Sequence, residues 1–311
     1  MVAATLQLMT TAPTSEAHPT PETESTFRGI GGLELFARRW APIGEPRAAV
    51  AIVHGFGEHS GRYADVVEPL TRAGFAVHGF DLRGHGRSEG ARGHIDAWSD
   101  YRDDIGLDLD HVRSQEAIGT PVFAYAHSLG GAITLEYGLR RQEGLHRQDG
   151  LVGVVTSAPS LRPKGVRSPV LEGLAAAMSR VWPTFSLDVP LESAAISRSP
   201  ERLEARRVDP LMHKRLTARA TVETLNALAW TEAHAGEWRL PLLIFHGTAD
   251  RLIDPSGSVA FAEAALAGGA TDVELHLYEG VYHEAHNDLD AASVEADVVA
   301  WLDRHLVPAP A

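Results

Sequence analysis

The chain contains no cysteine. That excludes a disulfide framework and a thiolate zinc site, and it leaves the redox compartment open. Positive charge is also in short supply, with 28 Lys and Arg against 41 Asp and Glu and a formal balance of -13. Nucleic acid and electrostatic docking on anionic lipid are therefore not expected, although this does not exclude an apolar contact with a membrane or micelle. No stretch approaches the roughly 20 consecutive apolar residues of a membrane span. Residues 1–12 carry no basic residue ahead of a short apolar stretch that fades into threonine and proline, so an export signal is not expected. Together these absences predict a soluble, cytoplasmic protein. Residues 11–26 are almost wholly Thr, Pro, Ser, Glu, Ala and His, the composition of a disordered tail, and Met9 could be the natural start.

What remains is a chain of 311 residues, 44% hydrophobic, which suits one α/β core carrying an inserted subdomain. Short apolar runs at 48–54, 74–80, 121–126, 151–157, 240–245 and 273–278 read as buried strands, with an edge strand at 33–40. Helical patterns lie between them at 63–73, 100–114, 129–142, 258–266 and 291–306. This alternation predicts a mostly parallel central sheet covered by helices on both faces. The alternation stops between 160 and 238. There Pro163, Pro169, Pro183, Pro190, Pro200 and Pro210 separate short helical pieces, and no convincing strand is visible. A gap of roughly 80 residues is too long for a loop, so it reads as a helical cap. The expected organisation is a tail at 1–26, a core at 27–159 and 239–311, and a cap at 160–238.

The reactive loops of such a sheet gather at the carboxyl ends of its strands. At the end of the 121–126 run the chain reads Ala126-His127-Ser128-Leu129-Gly130-Gly131. A strand that turns sharply into a helix at a serine lifts the hydroxyl above the sheet, and small flanking residues let the turn close. Ser128 is thus a candidate nucleophile that needs a base and an orienting acid. Asp250 and Asp254 both follow the 240–245 strand. Helix capping with Pro255 accounts for Asp254, which favours Asp250 as the acid. Of sixteen histidines, His283 and His286 follow the last strand, and His283 is the nearer and the favoured base. A metal pair of His283 and His286 lacks a third ligand at a recognisable spacing, so no metal is expected, and nothing calls for a cofactor. Serine, acid and histidine follow in the chain order of α/β-hydrolases. Oxyanion donors are expected from the backbone amides of Leu129 and of Phe56, the latter set between Gly55 and Gly57.

These residues also form recognisable motifs. The stretch His54-Gly55-Phe56-Gly57-Glu58-His59-Ser60-Gly61-Arg62-Tyr63 resembles the signature of monoacylglycerol lipases and related lysophospholipase-like hydrolases of the serine aminopeptidase S33 type. So do Asp81-Leu82-Arg83-Gly84-His85-Gly86-Arg87-Ser88-Glu89-Gly90, the serine turn, and Tyr278-Glu279-Gly280-Val281-Tyr282-His283-Glu284. The resemblance runs from about Phe27 to Leu306 and implies an α/β-hydrolase fold with an inserted helical cap. It implies Ser128, Asp250 and His283 as nucleophile, acid and base, with Phe56 and Leu129 as oxyanion amides. It also implies that Glu58 and Arg62 shape a polar substrate pocket for the alcohol part; a salt bridge holding the loop accounts for the same pair, and both readings stand. Two departures matter. Ala126 stands where the serine turn commonly opens with glycine, and Phe56 is bulkier than the usual oxyanion residue.

The expected reaction is hydrolysis of a single-chain lipid ester, monoacylglycerol above all, through an acyl-enzyme. The alternatives are a broad carboxylesterase or lysophospholipase, a peptidase or acyltransferase on the same fold, or a non-catalytic binding module. Residues 170–178 with Val181 and Trp182 make an apolar helical segment that could line an acyl tunnel and transiently meet a membrane or micelle, or could simply pack on the core. The oligomeric state is left open by the sequence.

Overall fold

A computed structural model of the chain describes residues 22–140, 150–164, 169–190 and 192–306. Among the described residues ten strands are found in chain order. They are β1 (Glu22–Arg28), β2 (Glu34–Trp40), β3 (Ala48–Val53), β4 (Phe75–Phe80), β5 (Val122–His127), β6 (Leu151–Ser157), β7 (Ser186–Asp188), β8 (Arg215–Thr217), β9 (Leu242–Gly247) and β10 (Val273–Tyr278). Among the same residues eight α-helices accompany them: α1 (Ala64–Arg72), α2 (Trp98–Gln115), α3 (Leu129–Arg140), α4 (Pro169–Val181), α5 (Pro200–Val208), α6 (Ala218–His234), α7 (Ser256–Ala267) and α8 (Ala291–Leu306).

Eight of the strands form one sheet in the order β1-β2-β4-β3-β5-β6-β9-β10. From β4 to β10 neighbouring strands run parallel, while β1 and β2 are antiparallel additions at one edge. Central β3 is Ala-Ala-Val-Ala-Ile-Val with every residue buried. That is why it reads as a continuous apolar run and not as an alternating one. The helices earn their places by spacing. In α8, Val294, Val298, Trp301 and Leu302 are buried, which is one stripe at helical period. Helix α8 shares its apolar cluster with α1 on one face of the sheet. Residues of α2, α3, α6 and α7 build the cluster on the other. From β3 the chain goes outward to β4 and then returns to place β5 on the opposite side of β3. The reversal falls between β3 and β5, and in such sheets ligands are held beyond the carboxyl ends of the strands at this point.

Two sequence expectations need correction. The segment read as a tail through residue 26 already forms β1 from Glu22, pairing with β2 from Glu22↔Trp40 to Arg28↔Glu34. Six of its seven residues are exposed, so the ladder of backbone hydrogen bonds holds it, with Phe27 packed on the core cluster. An exposed polar strand leaves no apolar pattern to read. Residues 1–21, with Met9, lie outside the described residues. The second correction is in the 160–238 segment, which contains the short antiparallel pair β7 and β8 besides α4, α5 and α6. At three residues each, these strands are too short to show a period.

Trp301 is fully buried and meets Phe123 edge-on at 6.0 Å between centroids. Trp301→Ala is expected to cost about 3–5 kcal/mol, read as a lower urea midpoint, with little change in the turnover of the protein that remains folded.

Candidate active site

At the end of β5 the backbone leaves the strand abruptly at Ser128. Ser128 takes φ +51°, a left-handed conformation that costs a non-glycine residue on the order of 1–3 kcal/mol. Its neighbours over-determine the bend. The Ser128 amide donates to the Ser157 carbonyl at 2.9 Å, and the Ser128 carbonyl accepts the amides of Ala132 and Ser160 at 3.1 and 2.9 Å. At the second residue of α3, a Cβ added to Gly130 would stand 2.3 Å from the Val53 carbonyl oxygen and 2.5 Å from that of His54. Glycine is therefore needed there for α3 to lie across the end of β3. Ala126 is fully buried, so the methyl that replaces the commoner glycine is accommodated within the core.

The structure brings Ser128, His283 and Asp250 together. Ser128 Oγ lies 3.0 Å from His283 Nε2, and His283 Nδ1 lies 2.6 Å from Asp250 Oδ2. The Asp250 carboxylate can accept only, so His283 Nδ1 carries the hydrogen and Nε2 is left as the acceptor for the serine hydroxyl. Asp250 also accepts the amides of Leu252 and Ile253 on Oδ1, at 2.7 and 3.0 Å, and faces His246 Nε2 at 3.0 Å. Burial opposes its charge, but His283 and His246 outweigh burial and hold the carboxyl far below the usual range. Burial would likewise push the His283 imidazole down, yet the Asp250 carboxylate wins and the group is raised above its ordinary value of 6.5. Asp254 stays apart from this group. Its Oδ1 accepts the Ser256 amide at the start of α7, at 2.9 Å, the capping duty that its sequence position suggests.

His246 was not singled out by sequence. It donates to Asp250 from Nε2, while its Nδ1 meets the Ser258 hydroxyl at 2.8 Å. Its signal was faint: a histidine at the end of β9, four residues before the acid. His286 is buried and stacks on Tyr63 at 5.2 Å between centroids, with Nδ1 3.4 Å from Ser157 Oγ. Among the described residues no group of three or more His, Asp or Glu side chains could hold a metal ion.

The Phe56 amide and the Leu129 amide, which opens α3, donate to no protein acceptor among the described residues. Gly57, at φ +70°, carries the loop past the inserted segment so closely that a Cβ would meet the His213 carbonyl oxygen at 2.1 Å. The Phe56 ring turns toward His85 and His213, edge-on at 6.1 and 5.6 Å between centroids, and packs on the core cluster. Glu58 and Arg62 are also close together, but as a buried ion pair. Glu58 Oε1 accepts the Gly55 amide at 2.6 Å and the Tyr63 hydroxyl at 2.9 Å. Arg62 reaches across to Glu284, the residue after His283, with contacts of 2.9 and 3.1 Å. Of the two readings for Glu58 and Arg62, this geometry favours the pair that holds the loop.

The parallel sheet, the helices on both faces and the insertion between β6 and β9 define an α/β-hydrolase. A profile of the serine aminopeptidase S33 hydrolases matches residues 44–290. The chain is 32% identical over 284 residues to the monoacylglycerol lipase of Mycolicibacterium smegmatis, covering 91% of this chain and 98% of that protein. It is also 32% identical to the monoglyceride lipase of Homo sapiens, covering 89% of each. The crystal structure of Paleococcus ferrophilus monoacylglycerol lipase matches with a TM-score of 0.76 at 30% identity, over 88% of this chain and 99% of that one. The chain therefore belongs to the serine aminopeptidase S33 family, in its monoacylglycerol lipase-like group, and is a carboxylic ester hydrolase.

The contact at Gly130 makes a direct test. Gly130→Ala forces a methyl against two backbone carbonyls and should cost about 1–3 kcal/mol together with a marked loss of ester hydrolysis. A wild-type urea midpoint and rate would contradict the close approach of α3 to β3.

Proposed function

We propose that the protein cleaves monoacylglycerol to glycerol and fatty acid through an acyl-enzyme on Ser128. The observation that carries the reading is the unbroken relay from Ser128 Oγ through His283 to Asp250, at 3.0 and 2.6 Å. His283 takes the hydroxyl proton as Oγ attacks the ester carbonyl, and Asp250 fixes the tautomer and stabilises the cation that forms. The Phe56 and Leu129 amides receive the oxyanion, each such donor being worth roughly 10²–10³ in rate. The imidazolium then protonates the leaving alcohol, and water repeats the sequence on the acyl-enzyme with the same base.

The substrate class is supported by the relatives that are monoacylglycerol and monoglyceride lipases and by the inserted segment. In this reading residues 160–238 form a cap. One side of α4 packs on α6, while Val170, Leu174 and Trp182 are 79%, 59% and 57% exposed. The apolar side suits transient contact with a membrane or micelle. Among the described residues no helix is long and apolar enough to cross a membrane, and the working place proposed is the cytoplasm.

Ser128→Ala should lower turnover by on the order of 10⁶ and abolish labelling by a serine-reactive phosphonate; near-normal activity would remove Ser128 from the mechanism. Monoacylglycerols should be cleaved faster than di- and triacylglycerols and lysophospholipid in a side-by-side panel. Preference for lysophospholipid, or for short soluble esters at every chain length, would overturn the substrate assignment. In the free enzyme the base must be neutral. Because Asp250 raises His283, kcat/KM should climb with pH through an acid limb above the ordinary histidine value of about 6.5.

A further inference from the structure

The charges around His283 come from several elements. Asp250 follows β9, Glu58 lies on the loop after β3, and Arg62 precedes α1. His127 ends β5, 4.8 Å from His283 between ring centroids, and Glu284 and His286 share the loop of His283. Burial pushes His127 well below its ordinary value and His286 down to about 4, so both are neutral at physiological pH. Burial opposes the Glu58 carboxylate, but Arg62 outweighs it and holds the group at about 2. Glu284 is likewise held low, against burial, by Arg62. Two carboxylates thus face the base besides Asp250, and Arg62 alone cannot balance both.

The second cation comes from the insertion. Arg206 Nη1 lies 3.5 Å from Glu284 Oε1, with side chains 11% and 3% exposed. Its delivery is built into α5. Arg202, Arg206 and Asp209 fall at i, i+4 and i+7, which is one side of the helix and its C-terminal cap. Each meets an opposite or complementary group on the core. Arg202 pairs with Asp65, Arg206 with Glu284, and Asp209 Oδ2 lies 2.8 Å from His59 Nε2. The Glu284 amide also donates to the Ile196 carbonyl just upstream of α5, at 2.8 Å. Arg207, the next residue along, points away and pairs with exposed Glu204 on its own helix.

We propose that Arg206 is a positioning residue for the base: seated by α5, it neutralises the Glu58–Glu284 carboxylate pair and so sets the charge that His283 faces. The proposal rests on Ser128 and His283 being the nucleophile and base. It makes the protonation of His283 depend on whether α5 is docked. Glu58 and Glu284 both favour the imidazolium, so removing Arg206 leaves an excess negative charge that retains a proton on the base to higher pH.

The experiment is the pH profile of kcat/KM on a soluble monoacylglycerol for the full-length wild type, Arg206→Gln, Arg206→Lys and Glu284→Gln, with Ser128→Ala as reference. Arg206→Gln should move the acid limb to higher pH by about half a unit or more, the size expected for one charge a few side chains away. Arg206→Lys, which keeps the charge, should restore the limb. Glu284→Gln removes one carboxylate and should move it the other way, a reading that survives if Arg206→Gln fails to fold. A profile that falls uniformly in Arg206→Gln, or a limb unmoved in Glu284→Gln, overturns the proposal and leaves Arg206 a packing contact. Activity persisting in Ser128→Ala would instead overturn the triad on which it rests.

Discussion

Most of the site follows from one constraint, the left-handed bend at Ser128. A fully buried strand must become a helix within one residue, and the backbone at φ +51° is held by carbonyl and amide partners on β6 and the loop beyond it. Once the bend is fixed, α3 must cross the end of β3, which only a glycine at 130 permits. The same crossing brings the start of α3 against the loop that follows β3. The strain at the serine and the compactness around it are therefore one feature: the bend persists because its surroundings leave no alternative.

A second constraint is desolvation. His283, Asp250, Glu58 and Glu284 are all buried, and charges in such a place are costly unless each meets a partner. Asp250 meets its requirement with two amides and two imidazoles. Glu58 does so with an amide, a phenol and a guanidinium. The Glu58–Arg62–Glu284 chain then joins the loop bearing the Phe56 amide to the loop bearing His283. A displacement of either loop would break a buried ion pair. The Phe56 amide and the His283 imidazole are thereby kept in mutual register by electrostatics as well as by the sheet.

The sequence made the central sheet legible because buried parallel strands are continuous apolar runs, and runs such as residues 48–53 cannot be mistaken for surface. It made the cluster of Ser128, Asp250 and His283 legible because reactive loops follow strand ends, so that the three could be picked from their positions. What stayed hidden has physical reasons. The strand at Glu22–Arg28 is held by backbone hydrogen bonds and shows almost no apolar pattern. Strands β7 and β8, at three residues each, are too short to display an alternation. Glu284 and Arg206 lie 78 residues apart in sequence, and a pairing across that distance leaves no mark in a single chain. Glu58 and Arg62 were seen as a pair, but only their contacts favour a loop brace over a substrate pocket.

The insertion is usually thought of as a shape laid over a site, yet its charges matter here too. Helix α5 presents Arg202, Arg206 and Asp209 to the core on one side, so its docking is electrostatic where that of α6 is apolar. An apolar contact tolerates sliding, whereas a buried guanidinium against a carboxylate does not, because leaving either charge unpartnered is strongly unfavourable. The side of the insertion that reaches Glu284 is thus pinned, whereas α4 leaves Val170 and Leu174 exposed. Buried charge and exposed apolar surface thus fall on different helices of one insertion, the first on α5 and the second on α4.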